Sequence, residues 1–168
     1  MKKILIINTG GTFNKVYNPL TGNLDIDSHG DALKSIAEHW LRDFKMINII
    51  GKDSLDINEK DRELMVRTIK EHKEQTIMIV HGTDTIDKTA HHLDLAQLNR
   101  EIILTAAMVP YSINPIEATA NFASAYGYIN AVDKRAVYIA MNGVIKDYKR
   151  VIKNKEKGYF EETQNNNP

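Results

Sequence analysis

Two short stretches combine hydroxyl side chains with glycine. One is Asn8-Thr9-Gly10-Gly11-Thr12, and the other is His81-Gly82-Thr83-Asp84-Thr85. A threonine hydroxyl attacks a carbonyl carbon once a base removes its proton, and backbone N–H groups of a glycine turn can hold the resulting oxyanion. Threonine is β-branched, so few χ1 settings compete and the oxygen is pre-oriented. A tyrosine or lysine, with an ordinary pKa near 10, serves as that base only where its neighbours lower it. Lys15 and Tyr17 stand close behind Thr12, and Lys153 could fold back over the same edge. The plainer use of both stretches is local: a turn for the two glycines, and a helix N-cap for one of Thr83, Asp84 and Thr85, with Thr85 best placed for it. Cysteine is absent, which removes thiol nucleophiles, disulfides and thiolate metal sites together. No G-x-S-x-G elbow, P-loop or G-x-G-x-x-G pattern occurs, so nucleotide binding is the weaker use of the glycines.

Such groups need a scaffold. Apolar, β-branched runs recur at residues 4–7, 46–50, 77–80, 102–104 and 136–140. Continuous runs of this length suit strands buried on both faces. Helical spacings lie between them. Residues 31–42 align Leu33, Ile36, Ala37, Trp40 and Leu41, and Asn58 caps a segment carrying Leu64, Met65 and Ile69. Residues 87–98 carry Ala90, Leu93 and Leu95, and residues 115–132 open on Pro115 and turn Ile116, Phe122, Ala123 and Tyr126 inward. Strict alternation of strand and helix predicts an α/β fold, a doubly wound three-layer sandwich with a mostly parallel sheet. Past Asn142, Val144-Ile145 and Val151-Ile152 are read as a hairpin around Asp147-Tyr148-Lys149. One domain is expected over residues 1–160, followed by a polar, frayed tail over 161–168.

Ligands of an open parallel sheet bind beyond the carboxyl ends of its strands. Reading the residues just after each run gives Thr12, then Asp53-Ser54-Leu55-Asp56, then Thr83-Asp84-Thr85, then Thr105-Ala106-Ala107-Met108, then Met141-Asn142-Gly143. Hydroxyls and carboxylates gather on that edge. The opposite edge carries Lys2, Lys3, Lys73, Glu74, Arg100, Glu101, Lys134 and Arg135, and reads as a solvated face.

The 168 residues include 22 basic and 22 acidic side chains, for a formal charge of zero. That balance argues against nucleic acid or an anionic membrane as the main partner. Apolar runs fall far short of the ~20 residues a spanning helix needs. Met1-Lys2-Lys3 resembles the start of a leader, but its apolar run ends at Asn8, so a cytoplasmic location is expected. His91 and His92 are adjacent and point roughly a hundred degrees apart on a helix, which does not suit one shared ion. No metal is expected, and His81 reads as a structural group at a strand end.

Taken together, Thr9-Gly10-Gly11-Thr12, Val80-His81-Gly82-Thr83-Asp84-Thr85 and Leu104-Thr105-Ala106-Ala107-Met108-Val109-Pro110 resemble, in order and spacing, the bacterial-type L-asparaginase/glutaminase family. The likeness covers essentially the whole chain and corresponds to that family's N-terminal domain, which makes this a short-chain member. It implies an amidohydrolase that converts L-asparagine, or L-glutamine as well, to the acid and ammonia through a threonine acyl-enzyme, without cofactor. By the same resemblance Thr12 is the nucleophile and Tyr17 its activator. Thr83 and Lys153 form a second pair with Asp84 as its acid. Asp84 also binds the substrate ammonium, Ser54 its carboxylate, and Gly11 and Ala107 complete the pocket. Lys153 is reached by counting from Met141-Asn142, with Lys146, Lys149, Lys155 and Lys157 as rivals. The chain departs from the family in a shorter segment from Thr12 to Tyr17, and in Leu55, Ala106 and Val109. In full-length relatives the C-terminal domain of an adjacent subunit supplies a carboxylate. Here another chain, with a homodimer expected, or Glu156, Glu161 or Glu162 of the 154–162 segment finishes the pocket, or nothing does. A non-catalytic amino-acid-binding or regulatory module, and a deamidating subunit of an amidotransferase, are the alternative readings.

Overall fold

The computed structural model describes residues 2–163. The chain opens with β1 (Ile4–Gly10), a 3-10 turn (Thr12–Asn14) and a small hairpin of β2 (Lys15–Tyr17) and β3 (Leu24–Ile26). Then follow α1 (Asp31–His39), β4 (Lys45–Lys52), α2 (Glu59–Glu71), β5 (Thr76–Val80), α3 (Ile86–Leu95), β6 (Glu101–Thr105), α4 (Pro115–Ala131) and β7 (Val137–Met141). The last strands are β8 (Val144–Asp147), β9 (Val151–Asn154) and β10 (Tyr159–Glu162). The main sheet has the order β4-β1-β5-β6-β7-β8, parallel except for β8.

Because successive strand side chains point to opposite faces, each run feeds two cores. Leu5, Ile7, Ile77, Ile79 and Leu104 pack on Met65 and Ile69 of α2 and on Ala90 and Leu93 of α3. Ile6, Met78, Val80 and Ile103 pack on Leu33 and Ile36 of α1 and on Phe122, Ala125 and Ile129 of α4. The expected three-layer sandwich is present. Asn58 caps α2 through a full capping box with Asp61. Among the described residues no helix is long and apolar enough to cross a membrane.

Several local expectations fail for identifiable reasons. Strand β4 is an edge strand with Lys45, Asn48 and Gly51 exposed, since an apolar run alone does not distinguish edge from centre. Helix α1 stops at His39, and Leu41 turns out at φ 52 with 91% of its surface exposed. Ile116 is 75% exposed in the first turn of α4, ahead of the helix's contact with the sheet. The expected hairpin over residues 144–152 is two separate pairings. Asn142 (φ 50) and Gly143 (φ 80) make the tight turn that returns β8 onto β7, as both central residues of a two-residue hairpin of this kind require positive φ. Strand β9 pairs instead with β10. Glu161 and Glu162, placed in the tail by sequence, therefore lie in a strand, and residues 164–168 of that tail fall outside the described residues. The solvated far edge is also partly wrong: Glu74 is buried and paired with Lys45 at 2.7 Å.

Candidate active site

Three loops meet backbone to backbone at the carboxyl edge of the sheet. Gly11 adopts φ +72, and a Cβ there would lie 2.5 Å from the Gly82 Cα. A Cβ on Gly82 would in turn lie 2.6 Å from the Ser54 Cβ. Glycine is required at both positions because only a bare Cα permits this approach. Thr12, Ser54 and Thr83 each belong to or adjoin that contact, so the loops after β1, β4 and β5 form one constellation.

Ser54 is buried, and its Oγ accepts the Asp84 N–H at 3.1 Å while its carbonyl accepts the Thr85 hydroxyl at 2.7 Å. Thr85 occupies the N-cap position of α3 but its side chain makes no capping bond, contrary to the local expectation. Its hydroxyl ties the third loop to the second. Thr83 is buried, and Lys153 Nζ donates to Thr83 Oγ1 at 2.8 Å and to Asp84 Oδ1 at 2.6 Å. Lys146, Lys149 and Lys157 pair elsewhere, with Glu162, Asp94 and Glu161. Lys155 lines the same cavity as Lys153, a space of about 600 Å³ bounded also by Thr83, Asp84, Leu55 and Ile152.

The reach of Lys153 has a structural cause. It stands opposite Phe160 in the β9–β10 pairing. Phe160 is buried in the core, and its N–H donates to Asn142 Oδ1 at 3.0 Å. Asn142 is held in turn through its own N–H, which donates to Asn121 Oδ1 at 2.9 Å. Asn121 and Glu117 on α4 also organise the loop after β6. Asn121 donates to the Ala106 carbonyl at 3.0 Å, and the Glu117 carboxylate accepts the N–H groups of Met108 and Val109, each at 2.9 Å. Sequence reading passed over Glu117, Asn121 and the side chain of Asn142. The placement of Glu117 in the first turn after Pro115 was the available signal.

Other expected residues are arranged differently. Tyr17 lies on β2 opposite Leu24, is 63% exposed, and makes no side-chain hydrogen bond among the described residues. Lys15, the other base candidate near Thr12, is paired with Asp53 at 2.7 Å, and that contact lowers the Asp53 carboxyl below its usual range. Ala107 is fully buried in the core beside α4 rather than on an open wall. The Gly11 N–H is engaged by the Lys52 carbonyl at 2.9 Å, so Gly11 contributes close approach and not a free amide. Of the carboxylates considered for the substrate ammonium, Glu161 is bound by Asn154 and Glu162 by Arg150, while Glu156 is exposed.

His81 is fully buried, with Nδ1 against the Gly82 carbonyl at 2.9 Å and Nε2 against Thr89 Oγ1 at 2.9 Å. Burial lowers its pKa to about 4, so the imidazole is neutral near pH 7 and bonds the third loop to α3. His91 meets the Tyr148 hydroxyl at 3.0 Å, whereas His92 lies between Glu59 and Glu63. No cluster of His, Cys, Asp and Glu among the described residues is arranged to hold a metal ion.

The family profile described as Asparaginase, N-terminal matches residues 3–163. The chain is 28% identical over 168 residues to "Probable L-asparaginase periplasmic" of Haemophilus influenzae, covering 91% of this chain and 46% of that protein. It is 25% identical over 166 residues to "L-asparaginase 2" of Escherichia coli, covering 91% and 47%. The solved structure of the thermostable L-asparaginase from Thermococcus kodakarensis superposes with a TM-score of 0.81 at 24% identity, over 98% of this chain and 52% of that one, a likeness of fold. The chain spans about half the length of the curated relatives it matches.

Proposed function

The chain belongs to the asparaginase family through that family's N-terminal domain, and from this premise we propose that it hydrolyses the side-chain amide of L-asparagine through a threonine acyl-enzyme. Thr12 is the nucleophile. Its oxygen attacks the amide carbon, the hydroxyl proton passes to the amide nitrogen, the C–N bond breaks to release ammonia, and water then adds to the acyl ester to release aspartate and restore the Thr12 hydroxyl. Lys153 and Asp84 act on Thr83 as the second group of the pair, and Asp84 also faces the substrate ammonium.

The observation that carries this reading is the single lysine amine shared by Thr83 and Asp84, beside the Gly11–Gly82 contact that brings the Thr12 loop alongside. A threonine in an ordinary strand-to-helix loop needs no such lysine drawn in from a distant hairpin. Ser54 supports the same constellation from the second loop, with its hydroxyl proton available to a carboxylate. A homodimer in which a second copy closes the edge near Leu55 and Ile152 completes the reading, and glutamine is a second substrate to be tried.

One observation favours a different reading. Tyr17 stands exposed and unbonded, so the nucleophile lacks the activator that the family resemblance assigns to it. On that ground the chain would be an amino-acid-binding module without turnover. Ammonia release from L-Asn, L-Gln and D-Asn by the purified chain separates the two, with Thr12→Ala and Thr83→Ala as controls. Hydrolysis predicts release that each substitution reduces by at least about 10³-fold. Equal release by the wild type and both variants refutes the mechanism. Thermal stabilisation by aspartate with no ammonia release establishes the binding module.

A further inference from the structure

Behind the turn that carries Thr12 lies a row of amides to which the proposed chemistry gives no role. Asn8 near the end of β1 and Asn14 at the close of the 3-10 turn are each 1% exposed. They form a reciprocal pair: Asn14 Nδ2 donates to Asn8 Oδ1 at 2.9 Å, and Asn8 Nδ2 donates to Asn14 Oδ1 at 3.2 Å. The remaining Asn14 hydrogen goes to the Gly10 carbonyl at 2.7 Å. The remaining Asn8 hydrogen reaches Asn48 Oδ1 on β4 at 3.0 Å, and Asn48 itself donates to the His29 carbonyl at 3.0 Å. On the main chain, the Asn14 carbonyl accepts the Asp27 N–H at 2.8 Å, which closes the base of the β2–β3 hairpin that carries Tyr17.

Thr12 lies between Gly10 and Asn14, the two ends of this clamp. Gly10 (φ +106) and Gly11 (φ +72) occupy backbone states open to glycine, and the Gly11 contacts with Gly82 and the Lys52 carbonyl hold only the start of the turn, so its far end, past Thr12, takes its direction from Asn14. The Thr12 hydroxyl makes no side-chain hydrogen bond among the described residues. Its χ1 is restricted by β-branching, so the aim of Oγ1 follows the aim of the turn. A fully satisfied buried amide pair is directional where an apolar contact is not, and it rigidifies what it joins.

We infer that Asn14, through its pair with Asn8, is a positioning residue for Thr12, setting the direction of the hydroxyl without touching substrate. The inference rests on Thr12 being the nucleophile proposed above. A displacement of about 1 Å at a reacting group costs on the order of 10²-fold in rate. Asn14→Ala in the full chain is therefore expected to lower kcat for ammonia release from L-asparagine by about 10²-fold, with KM within about threefold, the signature of an interaction felt in the transition state. Amide hydrogen exchange at residues 11–14 should quicken about tenfold while β5 keeps its protection. Asn14→Asp keeps the shape but sets carboxylate oxygens against the Asn8 Oδ1 and the Gly10 carbonyl, so it should lose kcat at least as far as the alanine variant. Asn48→Ala, at the exposed end of the row, leaves the fold intact and should lower kcat by only a few-fold.

A kcat within about twofold of wild type in Asn14→Ala or Asn14→Asp would overturn the inference, as would loss of exchange protection spread evenly over the sheet. Should the alanine variant fail to fold, the Asp and Asn48 variants decide. Absence of ammonia release from the wild type would refute the proposed function instead. The exchange at residues 11–14 would then still decide the clamp, and unchanged exchange in Asn14→Ala would overturn it.

Discussion

Replacing Lys153 by methionine separates a structural from a chemical role by the size of two effects. Methionine keeps most of the apolar stem and removes the amine that lies 2.8 Å from Thr83 Oγ1 and 2.6 Å from Asp84 Oδ1. The lysine side chain is 16% exposed and the aspartate 38%. An ion pair with one partner this accessible contributes at most about 1 kcal/mol, because water screens it. For a domain of this size that corresponds to a fall in Tm of about 2–4 °C. Loss of a general base costs about 10²–10⁴-fold in rate, or roughly 3–5 kcal/mol in barrier. The expected result is thus a protein that melts almost normally and releases ammonia from L-asparagine at least about a hundred times more slowly. Lys153→Arg sharpens the test. Guanidinium keeps the charge and the donors but does not give up its proton near neutral pH, so a base role predicts loss and a purely electrostatic role predicts retention. Activity within about threefold of wild type in both variants would refute the assignment. A fall in Tm beyond about 10 °C for the methionine variant would refute the division into small and large effects.

Further outcomes follow from burial and backbone contacts. The unfolded His81 imidazole takes a proton below its ordinary value of 6.5, while the folded one does so only near pH 4. The unfolded state therefore binds more protons in that window, and stability is lost as pH falls from 6.5 to about 4, by roughly 3 kcal/mol in all. Urea unfolding at stepped pH should show this slope, and His81→Gln should flatten it; an equal slope in both proteins would exclude His81 as its source. Gly82→Ala would press its methyl to 2.6 Å from the Ser54 Cβ, so it should cost about 1–3 kcal/mol and suppress activity. Gly127→Ala meets nothing within 4 Å on the exposed side of α4 and should instead raise stability by about 0.5–1 kcal/mol with activity unchanged. Thermal melts of the two variants moving in the same direction would contradict the glycine argument.

Much of the site's position was legible because strand order constrains it. Polar residues placed directly after apolar runs converge at one edge of any parallel sheet, whatever the details of the loops, so the order of runs alone sets Thr12, Ser54, Thr83 and Asp84 on one edge. Lys153 was harder. Five lysines crowd residues 146–157, and only pairing register distinguishes them. Phe160 must face the core, its partner in the ladder is Lys153, and a shift of one residue would have turned that amine away from Thr83. Asn142-Gly143 was a readable hairpin signal, and reading it would have separated β8 from β9 and moved the expected tail past Glu162.

The asparagines were not legible, and the reason is physical rather than a failure of pattern matching. Asn8 and Asn14 beside a double glycine look like ordinary turn formers, since asparagine is favoured in turns for local reasons. Their function in the fold depends on a contact across six residues and on Asn48 in a strand that is adjacent only in the folded sheet. A buried amide left without partners costs about 1–3 kcal/mol, so two such side chains at 1% exposure already require a satisfied network somewhere. What composition and spacing could not say is that the network ends on Gly10. That terminus ties the amides to the turn of Thr12, and it makes the aim of one hydroxyl depend on residues that never meet the substrate.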